Sequence, residues 1–272
     1  MIKQAIIPLA GLGTRLLPLT SVIPKELLPI NGKPGLEYIL DECIEAGIKD
    51  IIFIISNKKK IIKKYFYNDE FYRKIIKKKK NNKELITKYN KIKKLKKMIK
   101  FVYQNNPKGT GDAVLKCKKY LSGEFFFMLL PDDLIIKKNC IKEMLSLHKK
   151  TKSSIIATKK VDKREVSRWG ILYPKNKKKI KFQISDVVEK PSIKYAPSNF
   201  AIIGRYILPK SIFKELKLLK PGKGNEIHIT DAIKNLIKSG EKFHGNIFKG
   251  KYLDCGTLKG YINSSLEMAK YL

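Results

Sequence analysis

The chain runs to 272 residues, 43% of them hydrophobic, enough for one large α/β domain with an ample core and too apolar for a disordered chain. No apolar run approaches the roughly 20 residues that a membrane span requires, so no membrane partner is expected. The 59 basic residues against 24 acidic ones leave a net charge of +35, the balance of a nucleic-acid binder, yet only five of the 59 are arginine.

In chain order, a strand over residues 4–9 runs into the glycine turn Gly11-Leu12-Gly13-Thr14-Arg15. A helix over 34–46 has Pro34 near its start and Gly47 just beyond its end, and a second strand follows at 51–55. Residues 58–97, with lysine runs such as Lys77-Lys78-Lys79-Lys80, read as a solvated, weakly amphipathic helical excursion. A strand at 99–103 precedes a helix that Thr110 is placed to cap and that continues to residue 120. The most apolar strand, 125–130, ends at Pro131-Asp132-Asp133, and Asn139 is placed to cap a helix over 141–149. A strand at 154–158 leads to an irregular, strand-like stretch over 169–190, with a turn at Lys175-Asn176-Lys177. Beyond a strand at 200–207, Thr230 is placed to cap a helix that runs to Lys238 and stops at Gly240; short strands and a terminal helix from about Leu258 complete the chain. Strands alternating with helices predict an α/β fold, a single doubly wound, Rossmann-like, mixed and mostly parallel sheet flanked by helices. No linker rich in Pro, Gly or Ser divides it, and no internal repeat is visible.

The glycine turn carries the first chemistry. Glycines let backbone N–H groups turn inward and approach a pyrophosphate closely, and Arg15 and Lys25, in Pro24-Lys25-Glu26, can offset charge on phosphate oxygens. Leu16 stands where a dinucleotide fingerprint would close with Gly or Ala, and no Walker-type loop occurs, so NAD and P-loop readings lose ground. The plain alternative for the loop alone is a structural turn. Leu130-Pro131-Asp132-Asp133 puts carboxylates at the carboxyl end of a buried strand, the edge of an open α/β sheet where ligands bind. Asp132 is the candidate Mg²⁺ ligand, since hard cations prefer oxygen donors shared with substrate phosphates, and Asp133 is the better candidate for a turn or capping role. Asp254, before Cys255-Gly256, offers a second carboxylate for the same ion, or else a solvent-exposed turn.

Four cysteines without a C-x-x-C pair suggest neither zinc nor disulfides, and the three histidines lack metal-ligand spacing. The apolar stretch after Lys3 could pass for a signal peptide, but Pro8, Gly11 and Arg15 interrupt it too early, and a cytoplasmic protein is expected. The lysines are spread over the whole chain among Ile, Asn, Tyr and Phe, whereas base-reading surfaces favour arginine for its bidentate geometry. We read the excess as drift towards residues with A/T-rich codons and expect no nucleic-acid partner. The field would still draw in anionic substrates.

Taken together, Ala10-Gly11-Leu12-Gly13-Thr14-Arg15, Pro24-Lys25-Glu26, Lys108-Gly109-Thr110-Gly111, Leu130-Pro131-Asp132, Val188-Glu189-Lys190-Pro191, Pro197 through Tyr206 and Asp254-Cys255-Gly256 resemble the bacterial UTP:glucose-1-phosphate uridylyltransferases, collinearly over nearly the whole chain. The resemblance implies uridylyl transfer from UTP to glucose 1-phosphate with Mg²⁺. It implies one domain, 1–272, with a nucleotide-binding part to about 135, a sugar-phosphate part with a small β subregion over about 136–256, and a C-terminal helix over about 257–272. It assigns Arg15, Lys25 and Asp132 to catalysis, Asp132 and Asp254 to the metal, and Gly11, Gly13 and Thr14 to the triphosphate. Gln104 and the backbone of Gly109 would read uracil, the Gln104 amide donating to O4 and accepting from N3–H. Glu189 would accept from glucose hydroxyls, Lys190 would meet the sugar phosphate, and Gly170 and Asn199 would complete the sugar pocket. Without the resemblance, Gln104 is a polar strand-end residue and Glu189-Lys190 a surface ion pair before a turn. Trp169 stands where relatives more often have tyrosine. A homo-oligomer, dimer or tetramer, is expected, although the chain ends earlier than relatives whose extra C-terminal segment helps subunits associate. A thymidylyltransferase would keep the phosphate machinery but usually carries Ser-Lys-Gln in place of Pro24-Lys25-Glu26; a basic nucleic-acid binder is the alternative from another class.

Overall fold

The computed structural model describes residues 2–79, 82–176 and 180–271. Among them, nine strands form one sheet: β1 (Gln4–Pro8), β2 (Asp50–Ile55), β3 (Ile99–Tyr103), β4 (Phe125–Leu129), β5 (Ser154–Lys160), β6 (Gly170–Pro174), β7 (Lys181–Glu189), β8 (Phe200–Pro209) and β9 (Phe243–Ile247). Their spatial order is β3-β2-β1-β4-β8-β5-β9-β7-β6. The first four run parallel, as do β5 and β9, while β8 is antiparallel to both of its neighbours and β7 to both of its own.

Continuous apolar runs form the inner strands because both faces are covered. Ala5, Ile7 and Leu9 point to one face, packed with Leu36, Ile39 and Leu40 of the helix Gly35–Glu45 and Met144 of the helix Cys140–Thr151. Ile6 and Ala10 point to the other, with Ala113, Ile212 and Ile233. The parallel block is confined to the first half and the β5–β9 pair, less than the alternation of elements suggested. Strands β6 and β7 are separated by too few residues for a crossover and must pair antiparallel. The expected turn at Lys175-Asn176-Lys177 lies partly outside the described residues.

Two caps differ from expectation. Gly109, not Thr110, precedes the helix Thr110–Leu115, which gives way to a 3-10 turn at Lys118–Tyr120. Thr230 lies inside the helix Ile229–Lys238, whose N-cap is His228, and its hydroxyl is directed to another strand's carboxylate instead of its own helix's first turn. Asn139 does cap Cys140–Thr151, accepting from Lys142 N, and Thr257 caps the terminal helix Leu258–Ala269.

The lysine-rich excursion forms helices Lys60–Tyr67, Asp69–Lys78 and Lys83–Met98, with exposed pairs Glu70–Lys74 and Glu84–Lys88 on its outer side. It is also anchored, with Ile62, Phe66, Ile92 and Leu95 in the main core. Among the described residues no helix is long and apolar enough to cross a membrane.

Candidate active site

At the carboxyl end of β1 the chain turns through the glycine loop. Gly13 is left-handed at φ 70°, and its carbonyl accepts from Leu16 N at 2.9 Å and Thr20 Oγ1 at 2.8 Å. A side chain there would be strained and would meet Thr20 at 3.1 Å, which fixes this position as glycine. A Cβ on Gly11 would meet nothing within 4 Å, so the loop is open on its cleft side. Arg15 follows in a short 3-10 turn, and a later one, Lys25–Leu27, swings Lys25 inward.

Strand β4 delivers Asp132 beneath them. Lys25 Nζ donates to Asp132 Oδ2 at 2.7 Å and Arg15 Nη2 to the same oxygen at 3.4 Å; Arg15's side chain is 64% exposed and the other two are 15% exposed. Burial would raise the Asp132 carboxyl, but the charge and hydrogen bond of Lys25, with Arg15 behind it, bring it below the ordinary aspartate value. Burial in turn pulls Lys25 down, and Asp132 and Glu26 outweigh it, leaving the ammonium held above its ordinary value.

Asp133 neither caps a helix nor serves as a turn residue; it ties strands together. Its buried carboxylate accepts from Gly204 N at 3.0 Å and Tyr252 Oη at 2.6 Å; burial and the adjacent Asp132 push its pKa up to about 6. It begins a two-stranded antiparallel ribbon, Asp133–Ile136 with Lys251–Asp254, whose register sets Asp254 opposite Asp133. That pairing brings Asp254 to the cleft, where its Oδ1 accepts from Gly256 N at 2.8 Å and its Oδ2 from Arg168 Nη2 at 3.3 Å. A Cβ on Gly256 would fall 2.7 Å from Asp132 Oδ2, 3.3 Å from Asp254 Oδ1 and 3.1 Å from Arg15 Nη2. Two carboxylate oxygens thus converge on a space that only glycine leaves vacant. Among the described residues no third His, Cys, Asp or Glu joins them. The pair fits a hard cation that takes its remaining ligands from phosphate oxygens and water.

On the same sheet edge, beyond β3, Gln104 is buried at 3% exposure. Its Nε2 donates to Asp112 Oδ2 at 2.5 Å and reaches Gly109 O at 3.4 Å. The nitrogen expected to donate to uracil O4 is therefore committed within the protein. Gly109 (φ 97°) sits so close to Ile227 that a Cβ would lie 2.6 Å from its carbonyl oxygen.

At the far end of the cleft Gly170 opens β6 and Glu189 ends β7, paired with each other in register. Glu189 Oε2 accepts from Thr230 Oγ1 at 2.8 Å. Lys190, at φ 44°, donates its backbone N–H to Trp169 O at 3.0 Å and holds Nζ 3.6 Å from Glu189 Oε1. A cleft of about 740 Å³ joins these parts, lined by Gly11, Thr14, Arg15, Lys25, Asp132 and Asp254 around the glycine loop, by Gln104 and Gly109, and by Gly170, Glu189 and Lys190. Gly13 and Asn199 are not among the lining residues. Gly13 shapes the loop from behind, and Asn199 donates Nδ2 to the Val161 carbonyl oxygen at 2.9 Å. The cleft also includes Arg168, Trp169, Tyr206 and Thr230, none of which the sequence reading placed in the site. Tyr206 comes in on β8, Arg168 and Trp169 at the end of the 3-10 turn Lys163–Arg168, and Thr230 on the helix Ile229–Lys238, placements set by tertiary packing and not by local spacing.

The model of the nucleotidyl transferase family matches residues 4–271. The UTP–glucose-1-phosphate uridylyltransferase of Bacillus subtilis is 40% identical, with 98% of this chain and 91% of that protein aligned, and a putative one from Methanocaldococcus jannaschii is 37% identical over 98% and 93%. A UDP-glucose pyrophosphorylase solved with UDP-glucose superposes with a TM-score of 0.88 at 38% identity, covering all of both chains. The UTP-bound enzyme of Acinetobacter baumannii gives 0.89 at 32% identity, over 100% of this chain and 95% of that one.

Proposed function

Because the chain belongs to the nucleotidyl transferase family, we infer that its cleft transfers the uridylyl group of UTP to α-D-glucose 1-phosphate, giving UDP-glucose and pyrophosphate. The observation that carries this reading is the single cleft in which the Lys25–Asp132 contact at 2.7 Å faces the Glu189–Thr230 pair across the sheet edge. One end suits a triphosphate and the other a polyhydroxylated sugar.

An oxygen of the sugar phosphate attacks the α-phosphorus of UTP, and the bond from that phosphorus to the bridging oxygen of the pyrophosphate breaks, its electron pair leaving with pyrophosphate. The attacking monoester has a second pKa of about 6 and is already largely dianionic near neutrality, so no general base is required. What opposes reaction is repulsion between two polyanions and the charge gathering on the leaving group, which positioning and fixed cations counter. Arg15 and Lys25 supply those cations, the loop from Gly11 to Thr14 supplies backbone N–H groups, and Glu189, oriented by Thr230, accepts from glucose hydroxyls. Lys190 meets the sugar phosphate and Gly170 leaves room for the ring.

Enzymes of this family generally use a divalent metal ion, and we assign Mg²⁺ here to Asp132 and Asp254, where it would neutralise charge on the phosphate oxygens it shares. The chain acts as one nucleotidyltransferase domain, 1–272, and as a homo-oligomer, which sedimentation equilibrium tests. Its four cysteines, buried and unbridged, suit a reducing cytoplasm. The deciding experiment is pyrophosphate release from UTP with and without glucose 1-phosphate and Mg²⁺. Release is expected only when all three are present, and equal turnover of dTTP, or release that ignores glucose 1-phosphate, would overturn the assignment.

A further inference from the structure

We propose that Asp112 is a positioning residue for base selection: by accepting from Gln104 Nε2 it locks the amide in the orientation that accepts uracil N3–H and excludes cytosine. The inference rests on the reading of Gln104 as the contact to the base.

A glutamine amide can present either its oxygen or its nitrogen to a ligand by rotating half a turn, and a rotating amide suits uracil and cytosine alike. Uracil offers a donor at N3 where cytosine offers an acceptor. Discrimination therefore requires that the amide be held one way round. A carboxylate can only accept, so a carboxylate against one end of the amide forces the nitrogen to that end. Asp112 does this at 2.5 Å, with Lys116 Nζ 3.7 Å from its other oxygen. With the nitrogen committed to Asp112, Oε1 is the atom left for a ligand. It pairs with N3–H and opposes the lone pair of cytosine N3.

The lock is rigid. Gln104 N donates to Ile55 O at 2.8 Å, which fixes the backbone at the end of β3. The segment bearing Asp112 is clamped to residue 227, with Gly111 N donating to Ile227 O and Ile227 N to Lys108 O, both at 2.8 Å. Beta carbons on Gly109 and Gly111 would each come within 3 Å of residue 227, so the two segments approach as closely as glycine allows. Asp112 itself does not line the cleft and acts only through Gln104.

The test is the ratio of kcat/KM for UTP to that for CTP, with glucose 1-phosphate as acceptor, in the wild type and in Asp112→Asn. An asparagine can donate as well as accept and permits both amide orientations. The ratio is expected to fall at least about tenfold, chiefly through better use of CTP, since a site that hydrogen-bonds one edge rejects the wrong one strongly only while it is held. Asp112→Ser, whose hydroxyl also donates or accepts, carries the same expectation should the asparagine variant fold poorly. In a Gln104→Ala background Asp112→Asn should leave the ratio where Gln104→Ala alone put it. A ratio unchanged within twofold in folded Asp112 variants, or one that shifts equally without Gln104, overturns the proposal. Calorimetric binding of UTP and CTP repeats the comparison without turnover. Failure of the wild type to make UDP-glucose would thus reject the functional reading, while equal binding of the two nucleotides would reject the amide lock.

Discussion

The contact between the lysine-rich excursion and the turn that carries Lys25 makes a quantitative prediction. Lys59, at the mouth of the first excursion helix, donates from Nζ to both Glu26 oxygens at 2.9 Å, and the two residues are 7% and 2% exposed. Glu26 adjoins Lys25 in the same turn. Burial pulls the Lys59 ammonium below the ordinary lysine value despite Glu26, so desolvation outweighs attraction and the pair is no large net gain. Removing one partner is another matter. Lys59→Met strands a buried carboxylate, at a cost of about 3–5 kcal/mol. With roughly 2.1 cal/mol/K of unfolding entropy per residue, about 0.6 kcal/mol/K for this chain, that is a fall in Tm of about 5–9 °C. The assay is thermal and urea unfolding beside pyrophosphate release, where turnover should fall as well because Lys25 loses its brace. Lys59→Met/Glu26→Gln, which leaves no unpaired charge, should recover most of the stability. A change below about 1 kcal/mol in the single variant, or no recovery in the double one, would refute the reasoning.

Lys25→Ala and Asp132→Asn should each lower kcat by about a hundred- to a thousandfold, the usual effect of removing one preorganised charge-stabilising group, with the fold retained by circular dichroism. Near-normal turnover in both would remove their assigned roles. Gly109→Ala, strained at φ 97° and 2.6 Å from Ile227 O, should cost about 1–3 kcal/mol in urea unfolding and raise the KM for UTP. Burial raises the Cys117 and Cys255 thiols from 9.0 to about 12. A group held protonated in the fold contributes stability that is complete below its unfolded value and lost as pH climbs towards its folded one, so urea stability should decline between about pH 9 and 12. Cys117→Ala should flatten that decline.

Much of the fold was legible because the signals were local. Strand β3 spans residues 99–103 as expected, β1, β2 and β4 match their expected ranges to within a residue, and Asn139 caps its helix as read. Positions that depend on a partner far along the chain were not legible. Thr230 reads as a cap because its spacing suits one, but Glu189, 41 residues away, is where its hydroxyl goes. Asn199 sits in a quoted motif, yet the strand pairing of β8 with β5 turns its amide to Val161. Lys59 was hidden in a lysine run where sequence offers no means of telling one ammonium from the next, and only Glu26 makes it different.

Arg205 shows how such a distant partner serves the site. It is fully buried, and its guanidinium lies 2.9 Å from Glu42, 163 residues away. Nη1 donates to Leu130 O at 3.2 Å and Gly204 O at 3.0 Å. Gly204 leaves room for Leu130, whose Cβ would be 2.4 Å from a side chain there, and its N–H holds Asp133. The segment that carries Asp132 is therefore gripped from below by a buried cation, an N–H and a missing side chain, while Lys25 and Arg15 meet its carboxylate from above. A carboxylate that would keep its charge in the proposed site needs both, since cations alone would let it swing and a rigid backbone alone would leave it buried and unpaired. This is why Gly204-Arg205 belongs to the same constellation as the glycine loop although neither residue faces the cleft, and why the strand order that sets β8 beside β4 is a condition of the chemistry.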